Sequence, residues 1–312
     1  MRIHFAYFYN TKLKDINAPM MKKWQNGLAE NYSNAYIRNI YGLFQKSLDL
    51  AVKLGLLNKN VAKQVGNVKK QKKKIDFWTQ KEFEKVISTF DISDYYEHYT
   101  FIIIWLLFMT GLRLGEAQAL EWTDINFEDK TLTVSKSMYY KSANEFYVTE
   151  PKTRAGNRTI ALDDVTISYL AEWKSVQGRN VVSKYVLSYN GLPTNKSTTK
   201  HIIERHSKLA GVHTIKTHAL RHSHASLLIS LGENAIVVRD RLGHEDVETT
   251  LGTYGHLYPN TNIEVAKKLN NLISVKKDDT ITRNFISNQF VKNRQSGCNN
   301  ISLDCEEKEW DS

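Results

Sequence analysis

Apolar residues recur along this chain with helical spacing in most places and with strand-like spacing in a few. Met20, Met21, Trp24 and Leu28 repeat every three or four positions behind Asn17, whose short polar side chain suits a helix N-cap. A longer stripe runs from about Asn34 through Ile37, Ile40, Tyr41, Phe44, Leu48 and Ala51, with Gly55 as its stop. Val61 and Val65 predict a third, short helix. The run Lys69-Lys70-Gln71-Lys72-Lys73-Lys74 then breaks the pattern and predicts an extended linker, because like charges repel and offer nothing to a core. Beyond it, Thr79 followed three positions later by Glu82 matches a capping box. Phe101 to Met109 is apolar on every side, which predicts a helix buried in a core; nine residues cannot span a bilayer, which takes about 20. Three β-prone stretches follow at Thr131–Ser135, Glu145–Thr149 and Arg158–Leu162, the last two flanking the turn-like Lys152-Thr153-Arg154-Ala155-Gly156-Asn157. Helical periodicity returns at Val165–Val176, Thr199–Ala210, Thr217–Leu231, Ala235–Leu242 and Asn262–Leu272. The sum is a mainly α protein with a small antiparallel β-sheet. After about Ser274 the chain is polar and Asn-rich, which predicts a loosely ordered tail.

Charge sharpens this picture. Up to Asp76 there are 15 Lys and Arg against 4 acids, while the whole chain carries +10, so the positive excess sits at the N-terminal end. A concentrated basic segment suits a polyanion, although a solvated basic surface has the same composition. Lys69, Lys70, Lys72, Lys73 and Lys74 are the candidate backbone contacts, since a linker this basic can follow a line of phosphates. A hydrophobic fraction of 41% in 312 residues supports real cores and excludes a wholly disordered chain. The first residues carry no signal-peptide pattern and no basic amphipathic stretch, so a cytoplasmic protein without membrane contact is expected. Cys298 and Cys305 give neither a disulfide framework nor a metal knuckle. GxxxxGK[ST], HExxH, paired CxxC and GxSxG are all missing, which removes the common ATPase, zinc-protease and serine-hydrolase signatures.

Three short strings hold the candidate chemistry. Thr110-Gly111-Leu112-Arg113-Leu114-Gly115-Glu116 follows the apolar helix. Arg113 and Glu116 are three apart, so a structural ion pair and a guanidinium aimed at a phosphate are both open. His218-Ala219-Leu220-Arg221-His222 places His218 and Arg221 one helical turn apart, which suits a phosphodiester. His218 and His222 at i, i+4 also leave a metal reading open, but no acidic residue sits inside the turn. His222 and His224 read as packing or DNA-facing residues. The third string, Leu242-Gly243-His244, precedes Tyr254 by ten positions from its last residue. A phenol with an ordinary pKa near 10 attacks only where neighbours stabilise its oxyanion.

Together, Arg113 within TGLRLGE, His218-x-x-Arg221, LGH ending at His244 and TYGHL holding Tyr254 resemble the catalytic signature of the tyrosine recombinases, the phage-integrase family. Glu150-Pro151-Lys152-Thr153-Arg154 followed by Asn157-Arg158-Thr159-Ile160 resembles the β-hairpin that carries that family's catalytic lysine. The resemblance covers about residues 77–270 and is nearest to integrases of Gram-positive temperate phages and conjugative transposons. It implies a helical, core-type DNA-binding domain over 1–68, a basic linker over 69–76, a mixed α+β catalytic domain over 77–274 and a tail over 275–312. It implies site-specific cleavage and rejoining of double-stranded DNA at core sites, by a tetramer assembled on DNA, with accessory DNA-bending or excision proteins as possible partners. Tyr254 would form a 3′-phosphotyrosyl link, Arg113 and Arg221 hold the non-bridging oxygens, and Lys152 protonate the leaving 5′-oxygen. His218 would act as acid and base near the nucleophile and His244 donate to the phosphate, with no metal, ATP or other cofactor. Residues 1–12 are too short for the arm-binding domain that many such integrases carry, and the apolar pattern begins only near Lys12. An N-terminally shortened, DNA-binding form that does not complete recombination is therefore the alternative expectation.

Overall fold

Among the described residues, two large clusters of buried side chains organise the chain, beside a small third one of Ala119, Met138 and Tyr185. They are described from a computed structural model covering residues 2–70, 75–141, 145–151, 154–258, 266, 267, 269 and 270. The first cluster is built by α1 (Arg2–Phe5), α2 (Ala18–Ala29), α3 (Asn34–Lys53) and α4 (Val61–Val65). Asn17, Ser33 and Asn60 each accept a backbone N–H of the helix they precede, which fixes where α2, α3 and α4 start. Met21, Trp24, Leu28, Ile37, Ile40, Tyr41 and Leu48 are buried at the helical spacing read from the sequence. The first residues do more than the sequence pattern suggests. Phe8 packs on Phe44 with ring centroids 4.9 Å apart, Phe5 lies 5.8 Å from Trp24, and the Trp24 indole donates to the His4 carbonyl at 2.8 Å. Aromatic bulk, not helical period, recruits residues 4–8 to this core.

The second cluster forms around α6 (Tyr95–Thr110), whose apolar surface is buried on all sides as its sequence predicts. Around it lie α5 (Gln80–Ile87), α7 (Leu114–Ala119), α8 (Asp164–Asn180), α9 (Lys196–Ala210) and α10 (Ala219–Ser230). The Thr79–Glu82 capping box starts α5 as expected. After α10 come α11 (Ala235–Leu242) and α12 (Val247–Tyr254). Among the described residues, five short strands, β1 (Ile125–Asn126), β2 (Thr131–Val134), β3 (Ser137–Tyr140), β4 (Phe146–Thr149) and β5 (Arg158–Ala161), form two antiparallel sheets. One has the order β1-β2-β5, with Leu132 opposite Ile160; the other is the β3–β4 hairpin, with Tyr139 opposite Tyr147.

Here the structure corrects a sequence expectation. The strands flanking residues 152–157 do not pair with each other: β4 pairs with β3 and β5 with β2. The cause is β3, a strand hidden in Ser-Met-Tyr-Tyr, whose tyrosines meet Tyr147 and Phe146 across the hairpin at 5.0 and 5.5 Å. The helix α12 was not legible either, because its inward residues are Thr250 and Tyr254. Lys72, Lys73, Lys74, Lys152 and the tail after Ser274 lie outside the described residues, as does most of the helix expected over Asn262–Leu272. The chain divides into compact units Met1–Gly255 and His256–Ser312, and both large clusters lie in the first. Among the described residues no helix is long and apolar enough to cross a membrane.

Candidate active site

The site begins where α6 stops. Gly111 ends that helix with φ +66°, and a Cβ there would lie 2.6 Å from the His224 ring and 2.8 Å from Leu242. Only glycine allows both the left-handed turn and this approach. The approach delivers the Gly111 carbonyl to Arg221, whose Nη1 donates to it at 2.8 Å while Nη2 donates to the Leu242 carbonyl at 2.6 Å. Arg221 is 2% exposed. Burial, with the Arg113 charge nearby, draws its guanidinium down to about 9, so it stays charged at neutral pH.

Arg113 stands at the N-cap of α7. Its side chain remains 42% exposed, donates from Nη1 to Glu116 Oε1 at 2.7 Å and from Nη2 to the Gly243 carbonyl at 3.1 Å. The Arg113 backbone N–H donates to Glu116 Oε2 at 2.9 Å. That same oxygen accepts from Arg158 Nη2 at 2.9 Å, and Arg158 Nε donates to the Arg241 carbonyl at 2.9 Å. Burial pushes the Glu116 carboxyl up, but the Arg158 and Arg113 contacts outweigh it and hold the carboxyl below its usual range.

The turn after α11 carries the next groups. Gly243 has φ +68°, and a Cβ on it would lie 2.7 Å from the Ala155 carbonyl and 2.9 Å from Arg158 Nη1. His244 follows, with Nδ1 2.9 Å from the Thr250 hydroxyl. Thr250 and Tyr254 sit one turn apart on the buried face of α12, so this helix is tied through two imidazoles. The second is His222, whose Nδ1 lies 2.7 Å from the Tyr254 hydroxyl. The His218 ring meets that of His222 edge-on, 4.9 Å between centroids.

Burial pushes the Tyr254 phenol up to about 12, with Arg221 pulling it the other way. Burial and neighbouring cations lower all three imidazoles, His222 and His244 to about 4 and His218 by the same causes, so each is neutral at pH 7. Three guanidinium groups, Arg113, Arg158 and Arg221, thus gather around the Glu116 carboxylate. The surplus positive charge, with imidazoles and a phenol around it, suits a tetrahedral anion and its transfer to oxygen.

Five of the six sequence-predicted residues therefore meet in one place: Arg113, His218, Arg221, His244 and Tyr254. The sixth, Lys152, lies outside the described residues, though Ala155 near it abuts Gly243. Lys69 and Lys70 are exposed. Sequence reasoning missed three groups. The sequence leaves His222 as a packing or DNA-facing residue, shows Arg158 only within a motif and gives no signal at Thr250.

The family model described as "Phage integrase family" matches residues 76–261. The chain belongs to the phage integrase family. It is a tyrosine-type site-specific DNA recombinase. The ICEBs1 integrase of Bacillus subtilis (strain 168) is 33% identical to this recombinase over 276 residues, covering 86% of this chain and 74% of that protein. The integrase of Staphylococcus phage L54a is 24% identical over 292 residues, covering 85% and 82%. Among solved structures, the Tn1549 transposon integrase in complex with transposon right end DNA superposes with a TM-score of 0.69 at 20% identity, covering 84% of this chain and 87% of that one. XerH site-specific recombinase bound to palindromic difH substrate gives 0.64 at 20% identity, covering 86% and 77%. These likenesses establish the shared fold.

Proposed function

We propose that the recombinase cuts double-stranded DNA at core sites by attack of Tyr254 on the scissile phosphate. The product is a 3′-phosphotyrosyl link and a free 5′-hydroxyl, and attack by a 5′-hydroxyl of the partner strand reverses the step and rejoins DNA. The supporting observation is a buried phenol beside an arginine, Arg221, whose terminal nitrogens are fixed by carbonyls and not by a carboxylate. Its remaining N–H donors have no partner among the described residues, which leaves them for phosphate oxygens.

Arg113 takes a second non-bridging oxygen, held in place by Glu116 and Gly243. His218 and His244 donate N–H groups to the phosphate as charge builds on it. Lys152 protonates the leaving 5′-oxygen; what favours it is the neighbouring Ala155, which packs against Gly243 at the edge of the site. The phosphotyrosyl bond keeps the energy of the broken linkage, so rejoining requires no ATP. The basic linker over 69–76 tracks the DNA backbone between a DNA-binding domain over 1–68 and the catalytic domain over 77–274. The active assembly is a tetramer on two duplexes in the cytoplasm, aided by accessory DNA-bending or excision proteins.

The test is a nicked duplex bearing the recombination site of the element that encodes the chain. The wild type forms a covalent protein–DNA adduct that persists in EDTA. Tyr254→Phe forms none while melting within a few degrees of wild type. An adduct retained by Tyr254→Phe refutes the assignment of the nucleophile.

A further inference from the structure

The resemblance to known recombinases gives the imidazole of the His-x-x-Arg motif, His218, the task of handling the nucleophile's proton. The geometry gives a different answer. The imidazole hydrogen-bonded to the Tyr254 hydroxyl is that of His222, one helical turn further along α10, at 2.7 Å through Nδ1. The two rings lie 5.6 Å apart, tilted at 64°, so Nδ1 and not a ring face meets the phenol.

The direction of this bond follows from satisfaction of donors. Tyr254 is 1% exposed, and His222 Nδ1 is the hydrogen-bond partner found for its hydroxyl. If Nδ1 carried the proton, the phenol would accept and its own O–H would be buried without a partner, an arrangement native proteins avoid. The tautomer with a bare Nδ1 and a protonated Nε2 leaves no such orphan.

We propose that His222 is the general base of strand cleavage, taking the Tyr254 proton on Nδ1 as the phenol attacks. The proposal rests on Tyr254 being the nucleophile. As the Tyr254 oxygen bonds to phosphorus, its proton moves to His222 Nδ1, the bond from phosphorus to the 5′-oxygen breaks, and that oxygen takes a proton from the general acid. On rejoining, His222 returns its proton to the phenol.

The titratable and charged groups facing His222 make it a base gated by substrate. On its own helix these are His218 and Arg221, and from α12 it faces Tyr254. Without DNA, burial, then His218 and Arg221, hold the imidazole at about 4, too weakly basic to draw a proton from a phenol at about 12. A phosphodiester bound to Arg221 and Arg113 brings a negative charge beside the ring and opposes the cationic part of that shift. Basicity therefore rises when the scissile phosphate arrives, and Tyr254 stays unreactive until then.

The experiment measures adduct formation on the nicked duplex, with either an ordinary phosphate or a 5′-bridging sulfur at the cut position. A thiolate leaves without protonation, so the sulfur substrate bypasses the general acid. Replacement by asparagine keeps an acceptor near the position of Nδ1 but cannot carry a proton. His222→Asn is expected to lose about 10²-fold or more in rate on both substrates, in the range of general-base catalysis. Lys152→Ala is expected to recover on sulfur. The wild-type rate levels off with rising pH once His222 is neutral, whereas the His222→Asn rate keeps climbing tenfold per unit. His222→Ala, read alongside in case the asparagine variant folds poorly, is expected to regain rate with added imidazole. A His222→Asn variant that matches wild type in rate and pH profile overturns the proposal. So does one rescued by sulfur, which would place His222 on the leaving group. Failure of the wild type itself to form an adduct would instead count against the nucleophile assignment.

Discussion

Replacing Glu116 with alanine tests whether this one carboxylate assembles the arginines. Glu116 is 5% exposed and accepts three hydrogen bonds, from Arg113 N, Arg113 Nη1 and Arg158 Nη2. Arg158 is 7% exposed and loses its counter-charge in the variant. Stripping one partner from a buried pair costs about 3–5 kcal/mol, most of it for the abandoned charge. Arg113 adds little to that figure because water screens its exposed side chain. In a domain of roughly 150–250 residues each kcal/mol moves Tm by about 2–4 °C, so Glu116→Ala should melt roughly 6–20 °C below wild type at pH 7.5. The sign with pH follows from the lowered carboxyl. Its contribution is complete above its unfolded value of 4.5 and is lost as pH falls through the lower folded value, so the gap between wild type and variant narrows only in strong acid. Removing Arg158 as well, by Arg158→Met, should recover part of the loss, since the orphaned charge goes with it. Calorimetric melts of the single and double variants against wild type decide the matter. A Glu116→Ala protein melting within 2 °C of wild type, or a double variant worse than the single, would refute the reasoning.

Two further outcomes follow from the same geometry. His206, His222 and His244 are held at about 4 and His224 at about 3, chiefly by burial, so the unfolded chain takes up protons below pH 6.5 that the folded one refuses. Stability should be full above pH 7 and fall from pH 6.5 towards 4, each histidine contributing up to about 1.4 kcal/mol per pH unit; a flat Tm from pH 7.5 to 5 contradicts this. Gly243→Ala should cost about 1–3 kcal/mol and strongly reduce adduct formation, because the Cβ collides with Ala155 and Arg158 beside His244. Gly55→Ala, at φ +71° with open space around it, is the control that isolates backbone strain and should leave adduct formation intact.

Much of this was legible in the sequence because periodicity reports burial directly. The stripes of α2 and α3, the all-apolar α6 and the capping box before α5 needed only local chemistry, and each lies where expected. Pairing between distant segments was less legible. Strand propensity marks β4 and β5 but does not say which strand each will meet, and the tyrosines of β3 decided it. The site divides in the same way. Arg113, His218, Arg221, His244 and Tyr254 could be picked out as a constellation of residue types. The Glu116–Arg158 pair spans 42 positions and the His222–Tyr254 bond 32, and neither leaves a local trace. His222 was further obscured by lying four residues after His218, a spacing that equally suits a metal pair.

The way the arginines are buried explains how the site keeps its affinity for an anion. A carboxylate is the usual partner of a buried guanidinium, but a full negative charge on Arg221 would also neutralise the group meant for phosphate. Here helix ends replace it. The C-terminal turns of α6 and α11 leave carbonyls without intrahelical partners, and each end carries a partial negative charge. Arg221 takes Gly111 and Leu242, Arg113 takes Gly243, and Arg241 takes Met109, all from these two ends. The donors are oriented and the burial cost is reduced, yet only part of the positive charge is cancelled. Glu116 supplies a formal negative charge at the pair Arg158–Arg113 and no hydrogen bond to Arg221, which leaves Arg221 the more electropositive of the two phosphate-facing arginines. The two left-handed glycines, Gly111 and Gly243, are what turn those helix ends inward. In this fold they serve the chemistry as directly as any charged side chain.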